Sequence, residues 1–443
     1  MAGEDILAEV EARGVRYCNL EFTDVIGMAK AVTIPIEQLP ACLAEGHWFD
    51  GASLEGFARV AESDMYLRPD PTTFSVIPWE PARARILCDV MQPDGIPFEG
   101  DPRARLRHAA DHAARLGFRY QVSPEIEFFL LRAPAGDDLA HLAPFDRGSY
   151  FDLIGETATQ FWRELMSALE ELHVPVESSH HEAADGQFEI DLAMLDTLPA
   201  ADAIMATKLA IKAIAAHHGL LATFMPKPLP GVNGSGMHIH QRLMDVKSEM
   251  NRCAALDSQE YGLSEIGLRF IAGLLAHASG MSAVLSPLVN SYKRLVPSYE
   301  APVEINWGHH NQDMLVRVPL LSSRRAGDVR IEIRSPDPSC NPYLALTVLL
   351  ASVLDGIERE LDCPPPGKEF RRRQALAHRR DMSGYLLPAS LASALDALEA
   401  DPLMREALGP LITDEFLDAK WQEWEDYRRE VTPWEVRRYL SLF

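Results

Sequence analysis

Four short segments of this chain place charged side chains at every second position. "SPEIEFFLL" at 123–131 sets Glu125 and Glu127 two apart inside an apolar run. "QFEID" does so with Gln187, Glu189 and Asp191, "GMHIHQ" with His238 and His240, and "RIEIRSP" with Arg330, Glu332 and Arg334. Successive side chains of a strand point to opposite faces, so each segment has one charged face and one apolar face. A half-solvated antiparallel sheet also alternates, but a wet face is usually built from Lys, Thr and Ser. Carboxylates, imidazoles and guanidiniums in four such strands predict a barrel or curved sheet lining a charged cavity.

The residue types constrain the chemistry of that cavity. Glu125, Glu127, Glu182, Glu189 and Glu332 repel one another unless cations are present. Mixed carboxylate and imidazole ligation suits Mg²⁺ or Mn²⁺. The 6 cysteines form no CxxC pair, which argues against a structural zinc site or a disulfide framework and for reduced thiols. Arginines on the same faces imply an anionic substrate, carboxylate or phosphate. Metals and arginines around a phosphate make the arrangement of phosphoryl transfer. No GxxxxGK[ST] is present, and no GxGxxG follows a strand. "GVNGSGMH" at 231–238 reads as a turn that lets backbone approach a ligand.

A chain of 443 residues exceeds what one core organises, so two units are expected. Residues 1–100 read as a small α+β unit, with a helix at 3–13, a hairpin within 15–36 and strands at "FSVIPW" and "ARILCDVM". Residues 101–443 form the larger unit, opened by the Pro102 helix. Its expected strands are 120–131, 187–193, 236–243, 303–307, 314–318 and 329–334. Its expected helices are 156–173, 201–218, 263–280 and 341–361, with a mostly helical 389–440. The net charge of −23 argues against nucleic acid and anionic membranes as partners. The acidic N-terminus does not read as a signal peptide, and no apolar stretch is long enough to span a bilayer. A cytoplasmic location is expected.

Seven motifs in order resemble those of type I (bacterial) glutamine synthetases: "FDGASLEGF…ESDMYLRPD", "SPEIEFFLL", "HHEAADGQFEIDL", "NGSGMHIHQ", "NSYKRLVPSYEAP", "VRVP" and "RIEIRSPDPSCNPYLA". The likeness extends through the closing "DYRREVTPWEVRRYL". It implies an α+β fold, with an N-terminal β-grasp domain and a catalytic domain whose curved antiparallel sheet is the cavity. It further implies a homo-dodecamer of two hexameric rings with active sites between neighbours. The implied reaction joins ammonia to glutamate through γ-glutamyl phosphate, with ATP as co-substrate and two or more Mg²⁺ or Mn²⁺ ions per site. Carried over position by position, Glu127, Glu182 and Glu189 match the ligands of one metal, and Glu125, His238 and Glu332 those of a second. Arg294 and Arg334 match the grips on glutamate, and Asn233 with Gly234 the loop that meets it. Glu177, His240, Arg317 and Arg330 match contacts to ATP. Asp50 and Ser53 match a loop of the neighbouring subunit that binds and deprotonates ammonium. Tyr150, Glu182 and Glu300 complete that pocket, with Glu300 also matching the flap over the acyl phosphate.

The pattern breaks in places. "HHNQDMLVRVP" places Gln312 and Asp313 where the family has an arginine and a serine, with Arg324 and Arg325 as substitute cations in the next loop. Arg242 follows "HQ", Ala52 stands in "DGAS", and Tyr385 aligns loosely with a tyrosine that some members adenylylate in different surroundings. Relatives of this family ligate glutamate to methylamine, ethanolamine or polyamines, so an organic-amine ligase is the alternative reading. A silent structural or sensing member is a third, opposed by the six retained metal positions.

Overall fold

The structure is a computed structural model that describes residues 3–51, 64–132, 143–153, 155–255, 261–309, 313–320, 327–367 and 385–443. The N-terminal part begins with α1 (Gly3–Arg13), β1 (Tyr17–Thr23) and β2 (Ala29–Pro35). It continues through α2 (Leu39–Glu45), β3 (His47–Asp50), β4 (Asp64–Pro69), β5 (Ser75–Val76) and β6 (Arg83–Met91). The sheet order is β2-β1-β6-β4-β3, with β5 on β6. β1 and β6 run parallel, and the other pairs are antiparallel. Ile6, Leu20, Ile34, Leu67 and Ile86 fill its core together with Cys18, Cys42 and Cys88. The expected hairpin is present; of "FSVIPW" only Ser75–Val76 is strand, because a proline at 78 cannot donate to a ladder.

The larger part opens with α3 (Pro102–Arg115), where the Asp101 carboxylate accepts from the Arg103 N–H and Pro102 occupies the first turn. Then come β7 (Phe118–Arg132), α4 (Glu156–Glu171), β8 (Val176–His181), β9 (Gln187–Leu192), β10 (Leu195–Asp196), α5 (Thr197–His217), β11 (Leu220–Thr223) and β12 (Met237–Asp245). α6 (Glu265–Ala276), α7 (Ala278–Leu285), α8 (Ser291–Arg294), β13 (Trp307–Gly308), β14 (Val316–Arg317) and β15 (Ile331–Ile333) follow. The chain closes with α9 (Pro342–Glu358), α10 (Leu391–Ala400), α11 (Pro402–Leu408), α12 (Pro410–Arg429) and α13 (Pro433–Tyr439). The main sheet runs β13-β14-β15-β12-β7-β9-β8, with β10 and β11 also on β7. It is antiparallel as expected except at β13–β14, which is parallel, so the sheet is mixed.

The apolar faces of the four alternating strands lie against helices. Ile126 and Phe128, Phe188 and Ile190, Ile239, and Ile331 with Ile333 join one core with Ile204, Ile211, Leu346 and Leu350 of α5 and α9. The edge strands are shorter than expected, because Pro302 and Pro319 flank them and Pro336 follows β15. The expected helix 263–280 is two helices, bent by 71° at His277. Among the described residues no single helix is long and apolar enough to cross a membrane. Arg103 joins the two parts: it bonds Asp89 (2.7 Å) and Asp70 (2.8 Å) of the first and Asp202 on α5 (2.9 Å).

Candidate active site

The register of the main sheet gathers the charged faces. β7 lies between β9 and β12, so Glu125 stands opposite both Asp191 and His238, and Glu127 opposite Glu189. One strand further, His240 faces Glu332 on β15, and Glu332 faces Arg317 on β14. A cavity of about 240 Å³ opens on this face, lined by Glu125, Glu127, Glu182, Glu189, His238 and Arg334 among others. Arg330, beside β15, lies 3.7 Å from Glu177 on β8. Those strands are four positions apart in the sheet, about 19 Å if it were flat, so the charged face is concave.

One half of the cavity is charge-balanced. Glu125 Oε1 lies 2.6 Å from His240 Nε2 and its Oε2 lies 3.1 Å from His238 Nδ1. Burial would raise its carboxyl, but the two imidazoles hold it well below the usual range. Glu332 is fully buried, accepting from Arg334 Nη1 at 2.6 Å and from Arg317 Nε at 2.5 Å. It too is held low against burial, chiefly by Arg334 and then His240.

The other half has more negative charge than its neighbours offset. Burial, then Glu127, push the Glu182 carboxyl up to about 8. Burial, Glu125 and Glu127 raise Glu189 well above the ordinary value. His180 stands between them, with Nδ1 3.6 Å from Glu182 and Nε2 3.4 Å from Glu189. Tyr150 donates its hydroxyl to Glu300 at 2.5 Å, and Asn233 donates to the same oxygen at 3.1 Å. Ser298 and Glu300 hold φ values of 87° and 56°, a left-handed backbone that is unusual for such residues and frequent at functional loops.

Two glycines keep the floor open. A β-carbon on Gly234 would strike the Pro226 carbonyl. One on Gly236 would lie 2.5 Å from Arg294 Nη2, 2.9 Å from His238 Nε2 and 3.1 Å from Glu127 Oε1. The Gly236 N–H donates to Glu127 Oε2 at 3.0 Å, so backbone stands where a side chain would fill the site.

Glu125, Glu127, Tyr150, Glu182, Glu189, Asn233, Gly234, His238, Arg294, Glu300, Arg317 and Arg334 line this cavity; Glu332 lies beneath it, bonded to both Arg317 and Arg334. His240 sits behind Glu125, and Glu177 and Arg330 pair with each other; none of these three lines the cavity. Asp50 ends β3, opposite Asp64, and is exposed away from the cavity of its own chain. Ser53, Gln312, Arg324 and Arg325 lie outside the described residues. The structure adds His180, Phe151, Tyr299 and Gly236. Only His180, beside Glu182 in "HHE", and Gly236, in the glycine-rich turn, carried a sequence signal. Phe151 and Tyr299 sit in loops without a pattern.

The residues fit divalent cations. Ligand atoms of Glu125, His238 and Glu332 lie within 4.8 Å of one another, as do those of His180, Glu189 and Asp191. His180 Nδ1 and one oxygen of Asp191 are buried without a hydrogen-bond partner. Surplus carboxylate charge and unpartnered donor atoms are what a cation would complete.

A concave sheet with paired carboxylates, imidazoles and arginines is an arrangement suited to metal-assisted phosphoryl-transfer chemistry. Two family models match this chain: the glutamine synthetase β-grasp domain over residues 14–93 and the glutamine synthetase catalytic domain over residues 99–439. The chain belongs to the glutamine synthetase family. It is 46% identical to the glutamine synthetase of Thermus thermophilus, over 99% of each chain. Identity is 45% to that of Mycobacterium tuberculosis, again over 99% of each. Among solved structures, one titled "GmaS/ADP complex-Conformation 1" superposes with a TM-score of 0.86 at 31% identity, covering 99% of both chains.

Proposed function

We propose that this protein is an ATP-dependent glutamate–ammonia ligase. The observation that carries this reading is the electrical division of one cavity. Its balanced half holds arginines suited to phosphate and carboxylate groups, and its acidic half is suited to cations and ammonium. Glu125, His238 and Glu332 would hold one divalent ion, and Glu127, Glu182 and Glu189 a second, with His180 beside them; Mg²⁺ and Mn²⁺ suit these donors. When bound, such ions supply the positive charge that lets phosphate oxygens approach these carboxylates.

Arg294 and Arg334 orient glutamate, Arg317 faces the phosphates, and His240, Glu177 and Arg330 support the nucleotide end. The glutamate γ-carboxylate takes the terminal phosphoryl group of ATP. Ammonium collects at Tyr150, Glu182 and Glu300, and Asp50 of a neighbouring copy, with Ser53, takes its proton. The released ammonia attacks the γ-carbonyl carbon, a C–N bond forms, phosphate leaves with the C–O electron pair, and the new nitrogen gives up one proton to the departing phosphate, leaving the neutral amide. Glu300, on its left-handed loop, shields the acyl phosphate from water. An assembly of two hexameric rings completes each site; mass photometry should find a species near twelve times the 49.3 kDa chain.

The second reading, ligation of an organic amine, is favoured by the likeness to the structure titled GmaS and by Gln312. The relatives named glutamine synthetase, at 41–46% identity, favour ammonia. Phosphate release from ATP and glutamate, measured with ammonia, methylamine, ethanolamine and a polyamine, tests the choice. Ammonia is expected to give the highest kcat/KM. Turnover with an alkylamine and none with ammonia would overturn the first reading.

A further inference from the structure

Arg294 is a buried cation whose direct partners carry no net charge. Its Nη1 donates to the Ser335 and Pro336 carbonyls at 2.9 and 3.2 Å, and its Nη2 to the Arg334 carbonyl at 3.0 Å. Carbonyl dipoles orient a guanidinium without cancelling its charge. The group cannot escape by losing its proton, so it must be compensated or swing out to water. Arg334 nearby adds like charge, and the two carboxylates that act on Arg294 are Glu127 and Asp337. Glu127 faces the cavity, where its charge serves the cation-holding set and its Oε2 already accepts from Gln187 and Gly236.

Asp337 lies in the loop whose carbonyls grip Arg294, and it is fully buried. Its N–H donates to the Leu285 carbonyl at 3.0 Å, and its Oδ1 accepts from the Ser339 N–H at 3.0 Å and from the Ser339 hydroxyl. Its Oδ2 is buried with no hydrogen-bond partner. That carboxylate is isolated from water: burial raises it, while the Ser291 hydroxyl of α8, Ser339 and the Arg294 charge oppose that rise. The cations that act with it are Arg294 and Lys208 of α5. Lys208 lies on another wall, with Nζ 5.8 Å from the Phe224 ring centre.

We propose that Asp337 is a positioning residue for the reaction: the buried counter-charge that holds Arg294 set to receive the substrate carboxylate. This rests on the reading that Arg294 grips glutamate. Asp337 touches no reacting atom and acts only through Arg294.

Steady-state kinetics on the full assembly test this. Asp337→Asn should raise KM for glutamate roughly 10- to 100-fold, the scale of one charge-assisted contact, with KM for ATP within about twofold. Asp337→Glu keeps the charge and should give an intermediate glutamate KM; it carries the test if the Asn variant is insoluble. Lys208→Met should leave glutamate KM within about twofold. An unchanged glutamate KM in Asp337→Asn, equal shifts in both KM values for Asp337→Asn (or for Asp337→Glu when Asn is insoluble), or a glutamate shift reproduced by Lys208→Met would each overturn the proposal. If Arg294→Ala leaves glutamate KM unchanged, the underlying reading fails and this inference fails with it.

Discussion

At the scale of single residues, the proposed function rests on which carboxylates have cationic neighbours. Glu125 and Glu332 do, and both are held low; Glu182 and Glu189 do not have enough, and both are raised. For Glu182 the linkage sign is clear. A folded-state pKa raised to about 8 favours the protonated form, so its contribution to stability is full below the unfolded value of about 4.3 and is lost as pH rises through 8. A divalent ion needs the ionised form and relieves that loss. The gain in Tm on adding Mg²⁺ should therefore grow between about pH 6 and pH 8.5, and a gain flat across that range would count against Glu182 as a ligand. The two glutamates of "SPEIEF" should also separate. Glu125→Gln should weaken ATP use by at least roughly 10- to 100-fold, the cost that losing even an outer-shell partner of a metal ligand carries, while Glu127→Gln should act first on glutamate. Equal effects of both variants on both substrates would contradict the division.

At the scale of elements, register turns alternation into a site. The four alternating strands read from the sequence are the central β7, β9, β12 and β15, and one residue of slip would carry every charge to the wrong face. β8 and α2 were not legible, because "VESSHH" has no apolar alternation and short elements carry too little periodicity; β13 and β14 were read as strands, but longer than they are. The break between α6 and α7 had a local sign, His277, but its cause is tertiary: Nδ1 lies 2.8 Å from Asp401 and Nε2 3.0 Å from Asp355. Burial would lower this imidazole, but the two carboxylates overcome burial and raise it. Its stabilisation is full below the unfolded value of about 6.5 and fades as pH rises through the folded one. The Tm gap between the native protein and His277→Gln should thus be larger near pH 6 than near pH 9; a gap that widens with pH would exclude this account. α6 and α9 cross at glycines, where a methyl on Gly273 would strike the Ser352 carbonyl. Gly273→Ala should cost about 1–3 kcal/mol in urea unfolding, as overpacking does, and an unchanged midpoint would show that the crossing yields.

At the scale of the whole molecule, the described residues build a charged cavity on one face of the main sheet. The charged faces and most lining residues were legible because strand alternation is local. Phe151 and Tyr299 were not, because loops that cross the cavity mouth owe their place to the fold rather than to any period. Asp50 lies outside its own chain's cavity, which is why an assembly is part of the proposed function. The central claim is that the two halves of the cavity meet at one acyl phosphate. Glutamate labelled with ¹⁸O in its γ-carboxylate tests this most directly, with the released phosphate read by mass spectrometry. The account predicts one labelled oxygen in each phosphate formed with ammonia as acceptor. Phosphate released without label, at the same turnover, would contradict it.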